Sequence, residues 1–389
     1  MISTRLTASV LGGLLLLALS GCRQERLPDY PPAYREYAYV TNGGSNSVTV
    51  VDLLTLRVAR TVPVGKNPTG VAANPKRNEI YVVNTDSDNV TFIDAETSRV
   101  VATLGVHHAP YFIDVSAEGK RGYVANSGSA NVSVLDLEKH AVVATIPVGA
   151  SPGLARVSPD GKLVVVSLRG EGAASVLDAE KLQVRSKVVI CADPEDIVIL
   201  PNSDKAFIAC TGSGQVAAVD LKADKLLALL DVGKTPIHLA LKPDGGQLFV
   251  SNFDSHTVSD ITTTTNEVGG SYFMGNNPVR GLVSADNTLL YVSNFGSDTV
   301  AVFGIDTGRL LASIRVGSKP DALALTPRQD YLLVVNSSSG DLAVVHSREV
   351  RDRRRETNVR ALLLFTMIPV GNRPHQIAVK NFMLRKPPV

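Results

Sequence analysis

One tetrad of residues recurs at a fixed interval along most of the chain. Tyr39, Val40, Thr41 and Asn42 return as tetrads starting at Tyr81, Tyr123, Val165, Phe207, Phe249, Tyr291 and Leu333, each 42 residues after the last. A second series, Pro68, Pro110, Pro152, Pro194, Pro236, Pro278 and Pro320, keeps that interval and then steps to Pro374. Two markers with one period define a repeat array, in which each unit packs on its neighbours. The 389 residues would otherwise allow two or three domains, and the array turns most of them into one.

Within a unit the polarity alternates with period two. Residues 48–52 follow the first tetrad across the turn-forming Gly43, Gly44, Ser45 and Asn46; residues 58–62 come next, and Gly65 to Pro68 lead into residues 70–73. Four short β runs separated by Gly, Asn, Asp and Pro clusters predict a four-stranded antiparallel sheet per unit. Such a sheet is apolar on both faces. Stacking the units about an axis buries both, so an all-β fold, a β-propeller of four-stranded antiparallel blades, is expected. The first tetrad has no innermost strand before it, while residues 374–379 match that missing strand and have no partner after them. The N- and C-terminal strands are therefore expected to close one blade, giving eight in all. Seven is the alternative, with the divergent unit from Val165 looped out.

Composition agrees with this class. Hydrophobic residues at 44% are ample for the core, the absence of Trp argues against WD40 blades, and 5% aromatics argue against a porin with aromatic girdles. A net charge of +2 gives no electrostatic footprint for nucleic acid, which is not expected as a partner. A closed ring also has no sheet edge that demands a partner, so a monomer is expected.

The first residues look like a targeting signal. Arg5 precedes an apolar run over 10–19 that ends in Leu19, Ser20, Gly21 and Cys22. This resembles a bacterial lipoprotein signal, with lipid on the Cys22 thiol; an ordinary signal peptide cut near Gly21 is the alternative. The expected layout is signal peptide 1–21, a lipid-anchored tether 22–36 containing Pro28, Pro31 and Pro32, the propeller 37–380 and a tail 381–389. Arg23 after the lipidated Cys resembles outer-membrane sorting in enterobacterial lipoproteins. A bacterial envelope location follows, at the outer membrane facing the periplasm or exposed at the surface.

The tetrads resemble the YVTN family of β-propeller repeats, over nearly all of residues 37–380. That resemblance implies a propeller and leaves activity open, since its members include surface-layer and cell-envelope proteins. The wider group adds haem d1 domains, quinoprotein subunits and sugar lactonases.

Departures from the repeat mark where this chain could act. The Gly-x-x-Pro segments and the turns after the tetrads share one face, here called the top; the hairpins at 159–162 and 243–246 lie on the other. Two residues after each marker proline stand Gly70, Phe112, Leu154, Asp196, His238, Arg280, Ala322 and Gln376, all expected near a central channel. Asp114 and Arg156 follow two residues further on with the same parity, and Glu195, Asp321 and His375 occupy the preceding position, at the channel mouth. In a ligand site Arg280 would bind an anion bidentately, and Asp196 would orient His238 as a base or metal ligand. Water-bathed channel salt bridges are the plainer reading. Zinc would need His375 as well, and its parity argues against that, so no metal is expected.

Signatures of covalent haem attachment, zinc proteases, nucleophile elbows and phosphate loops are absent. His107 and His108 replace the expected Gly of the second unit; resemblance to d1-type propellers would make them axial ligands of a non-covalent haem. Cys191 stands where Gly usually stands and Cys210 where Asn does, on adjoining strands of one blade, so a disulfide is expected in an oxidising envelope. The last unit is twelve residues longer than the others. Its extra length around 346–360 carries Arg348, Arg351, Arg353, Arg354, Arg355 and Arg360 and is expected as a solvated loop or short helix, or as a contact for lipid headgroups or an acidic partner. The leading expectation is a non-catalytic envelope module that binds a protein, peptide or small ligand on its top face. The alternative is a periplasmic enzyme or cofactor carrier, haem d1-like, quinoprotein-like or lactonase-like, that uses the channel.

Overall fold

The computed structural model describes residues 30–347, 349–352, 357–360 and 362–385. The expected signal peptide, Cys22 and most of the tether lie outside the described residues. Eight four-stranded antiparallel sheets make up the ring. Blades 1 to 7 begin at the successive marker prolines, from Pro68 to Pro320. Blade 8 is built from both chain ends, in the order Arg57–Pro63, Ser47–Asp52, Tyr34–Asn42 and Pro374–Met383. The ladder of its two inner strands runs from the Tyr34 and Met383 pair to the Asn42 and Pro374 pair, so the ring is closed by hydrogen bonds between the two ends of the chain.

Packing between blades explains why a single unit could not stand alone. Tyr39, Val48, Val50 and Val62 of blade 8 form one apolar cluster with Val71, Ile80 and Val82 of blade 1, and comparable clusters fill the other gaps. The tetrad tyrosines Tyr39, Tyr81, Tyr123 and Tyr291 are fully buried. Each such side chain contributes about 1.5–3 kcal/mol by leaving water, and only two stacked sheets provide that environment.

The tetrad asparagine pins the top turn. Asn42 Nδ2 donates to Ser47 Oγ and Thr49 Oγ1 at 3.2 and 2.9 Å, and the same pair of bonds recurs from Asn84, Asn126 and Asn252. A glycine three residues before the marker proline packs on it. A Cβ on Gly65 would fall 2.6 Å from Asn84 Cβ, and Gly233 meets Asn252 at the same 2.6 Å. These two positions therefore touch in the repeat, and in blade 4 both are cysteine. Cys191 and Cys210 form a disulfide there, with Cα atoms 5.8 Å apart, in place of the glycine–asparagine contact. Replacing both by serine reopens a loop with a sequence separation of 19. The expected cost is about 3 kcal/mol, read as a lowered midpoint in chemical denaturation, with the parent protein plus reductant melting like the variant.

The insertion in blade 7 departs from expectation. Its described residues form strands, not a loop or helix: Glu349–Asp352 pairs antiparallel with Thr357–Arg360 as a two-stranded hairpin, while Arg348, Arg353, Arg354 and Arg355 lie outside the described residues. It lies between Asp341–His346 and Leu364–Pro369, which are themselves antiparallel neighbours, so extra residues are accommodated by prolonging that pairing past the end of the blade.

Candidate functional site

The inner strands line the channel, and their first residues do not alternate as a regular strand would. Pro152 pairs with Leu168, but the next partners are Ala155 and Val166; the same shift follows Pro110, Pro194 and Pro320. This bulge breaks the period-two rule, so residues one and two positions after the proline both reach the channel.

The second position and its neighbours form a charged girdle. Arg156 Nη1 lies 3.6 Å from Asp114 Oδ1, and its Nη2 lies 3.5 Å from Asp196 Oδ1. The same guanidinium stacks over the Phe112 ring at 4.7 Å. Asp196, only 3% exposed, accepts the Ile197 and Leu239 N–H groups at 3.0 Å each. Burial opposes ionisation of Asp196, but His238, Arg156 and Arg280 outweigh it and hold its carboxyl below the usual range. For Asp114 burial prevails and raises the carboxyl, although Arg156 and the Val157 N–H work against it.

His238 stands between Asp196 and blade 6. Its Nε2 is 3.7 Å from Asp196 Oδ2, and its Nδ1 accepts the Gly281 N–H at 3.2 Å. Burial pushes the imidazole down to about 4, with Asp196 offsetting only part of that effect. The ring is therefore neutral at pH 7, and the bond from Gly281 assigns the proton to Nε2, facing Asp196. This tautomer leaves no free lone pair for a base or a metal ligand.

The residues one position after the proline make an upper mouth. Asp321 Oδ2 accepts from His375 Nδ1 at 2.6 Å, and His375 Nε2 accepts from the Tyr111 hydroxyl at 3.1 Å, joining blades 7, 8 and 2. Glu195 is paired with Arg169 at 2.5 Å. Tyr111 and Arg169 escaped the sequence reading, yet each had a signal: Tyr111 follows Pro110 in the column of Glu195, Asp321 and His375, and Arg169 follows the divergent tetrad that starts at Val165. A cavity of about 850 Å³ opens above, with Tyr111, Lys319, Asp321, Arg373 and His375 in its wall. Below it a chamber of about 280 Å³ reaches down to Asp196, and a second of about 320 Å³ continues beneath the girdle. Phe112, Arg156, Arg280 and Gln376 border both chambers.

The remaining candidates lie elsewhere. His107 and His108 are exposed on the rim, against Thr145 and Asp88 at 3.2 Å each, and neither borders the channel cavities. Among the described residues no cluster of three or more His, Cys, Asp or Glu is arranged to hold a metal ion.

Residues 74–197 match the family model of the cytochrome D1 heme domain, and residues 275–357 match that of the seven-bladed β-propeller lactonases. No curated protein matches the sequence. Among solved structures, dihydro-heme d1 dehydrogenase NirN in complex with DHE is similar with a TM-score of 0.71 and 17% identity, covering 90% of this chain and 77% of that one. Hydrazine synthase of Kuenenia stuttgartiensis gives 0.60 at 20% identity over 72% of this chain and 95% of its own. A functionally unknown protein from Desulfotomaculum acetoxidans gives 0.60 at 14% over 88% and 98%. The chain is thus an eight-bladed β-propeller related in a general way to the haem d1 and lactonase propellers, with a face and channel capable of holding a ligand or cofactor.

Proposed function

We propose that this protein is an envelope-anchored cofactor carrier of the YVTN type, tethered through Cys22, that takes an anionic tetrapyrrole of the haem d1 class in its upper mouth. The observation that carries this reading is the Asp321 and His375 pair beside the 850 Å³ cavity. A histidine whose Nδ1 is held by a carboxylate presents Nε2 as a ligand of fixed tautomer and orientation. Among the described residues only the Tyr111 hydroxyl occupies that nitrogen. Lys319 and Arg373, in the same wall, suit the peripheral carboxylates. When bound, such a group supplies iron-centred redox chemistry; the chain's own part is to hold it, orient it and shield it.

Cofactor binding is favoured over a protein or peptide scaffold role because the d1 family match and the similarity to NirN both point to that class. A second reading rests on the lactonase match. In it the same His375, oriented by Asp321, would take a proton from water attacking a lactone carbonyl.

Titrating the purified mature protein with haem d1, and separately with protohaem, tests the first reading by visible absorbance. Saturable one-to-one binding is expected, with Asp321→Asn weakening it about tenfold to a hundredfold. An unchanged spectrum would sink the cofactor reading. Lactone hydrolysis lost in His375→Ala, with the fold intact by circular dichroism, would establish the second.

A further inference from the structure

The girdle contains one cation more than its internal pairing uses. Arg156 lies between Asp114 and Asp196 and satisfies both. Arg280 is near enough to Asp196 to influence it, yet among the described residues no carboxylate is within ion-pairing distance of its guanidinium. Its Nε is buried and makes no hydrogen bond. A buried donor on a fixed charge is costly unless something accepts from it. The neighbouring groups offer no relief: His238 is turned to Asp196 and Gly281, and Phe112 is covered by Arg156.

We propose that Arg280 is the anchor of a second binding site, in the channel beneath the mouth, for a compact oxyanion. Two features of the site set the ligand class. A guanidinium presents a planar fork that matches two oxygens of one carboxylate, carbonate, phosphate or sulfate group. The chambers on either side, about 280 and 320 Å³, are at the lower end of small-molecule sites and exclude a macrocycle. Gln376 borders both chambers beside Arg280 and adds an amide donor. Inner-strand residues of neighbouring blades, Leu239 to Leu241 and Gly281 to Val283, complete the lower wall. This site lies below the upper mouth, with Tyr111, Asp321 and His375 forming the shared wall of mouth and upper chamber; it does not depend on the cofactor reading, since a chain that binds no tetrapyrrole would still present Arg280 there.

Isothermal titration of the mature protein with formate, bicarbonate, phosphate and sulfate tests the site and distinguishes planar from tetrahedral oxyanions. Saturable binding of at least one is expected, weakened about tenfold to a hundredfold in Arg280→Gln and unchanged in Arg57→Gln on the exposed outermost strand of blade 8. Arg280→Lys, which keeps the charge and loses the fork, is expected to weaken it about tenfold, and serves if the glutamine variant does not fold. No saturation by any of the four up to about 10 mM, or equal affinity in the parent and the Arg280 variants, would overturn the proposal.

Discussion

A chain ending at Arg373 is expected to lose its cooperative thermal transition. It lacks the strand Pro374–Met383, which closes blade 8 by pairing with Tyr34–Asn42. Ile377 and Phe382 are 9% and 7% exposed, and they pack in different directions: Ile377 into the cluster shared with blade 7, Phe382 into the one shared with blade 1. Lys380 Nζ also reaches the Asn74 carbonyl of blade 1 at 2.6 Å. The two apolar side chains alone represent about 3–6 kcal/mol. Losing the ladder, and with it the inner-strand partners of Tyr39 and Val40, brings the total into the range of a whole domain's stability, about 5–15 kcal/mol. Circular dichroism melts and limited proteolysis would read the effect, with a chain ending at Arg385 melting like the parent. Equal melting of both truncations would mean that the ends do not close the ring.

Asp196→Ala should be the most damaging single substitution in the channel. The alanine leaves the Leu239 N–H without its acceptor and Arg156 with only Asp114. Breaking a buried pair from one side costs about 3–5 kcal/mol, measurable as a lowered denaturation midpoint, whereas Asp160→Ala on an exposed hairpin should cost far less. Acid adds a second signature. His238 has a folded value of about 4, below its ordinary 6.5, so its contribution is complete above pH 6.5 and is lost as the pH falls toward 4, by about 3 kcal/mol. Asp196, also lowered, contributes above the usual carboxylate range and loses that contribution at still lower pH. Asp114 has the opposite sign: its raised carboxyl costs stability at neutral pH, and the cost disappears once it is protonated. Denaturation at pH 7 and 4.5 should therefore show a smaller loss in His238→Gln than in the parent.

The architecture was legible because it rests on a count. A 42-residue period and the unmatched strands at each end fix the blade number without any knowledge of side-chain packing. The disulfide was legible for a related reason, since two columns that both depart from the repeat in one unit are columns in contact. Chemistry was harder to read. Alternation would place His375 and Asp321 away from the channel layer of His238, but the bulge after each proline brings both layers into the lumen. The turn that produces this also has no composition signal: the residue before each marker proline is left-handed in every blade, with φ from 49° to 54°, whether it is Asn67, Ala109, Thr235 or Arg373. The role of His238 was not readable at all, because it is decided by the backbone N–H of Gly281 on the next blade.

Closure by both chain ends also sets the face from which the N-terminal segment leaves the ring. In blade 8 the strand Tyr34–Asn42 rises toward the mouth, so its first residue emerges on the opposite face. The arginine-rich hairpin that follows His346 extends from that same underside. If Cys22 carries the lipid as proposed, a short leash from below seats the ring with its underside toward the bilayer. The opening above Tyr111 and His375 then looks away from the membrane, toward whatever diffuses past.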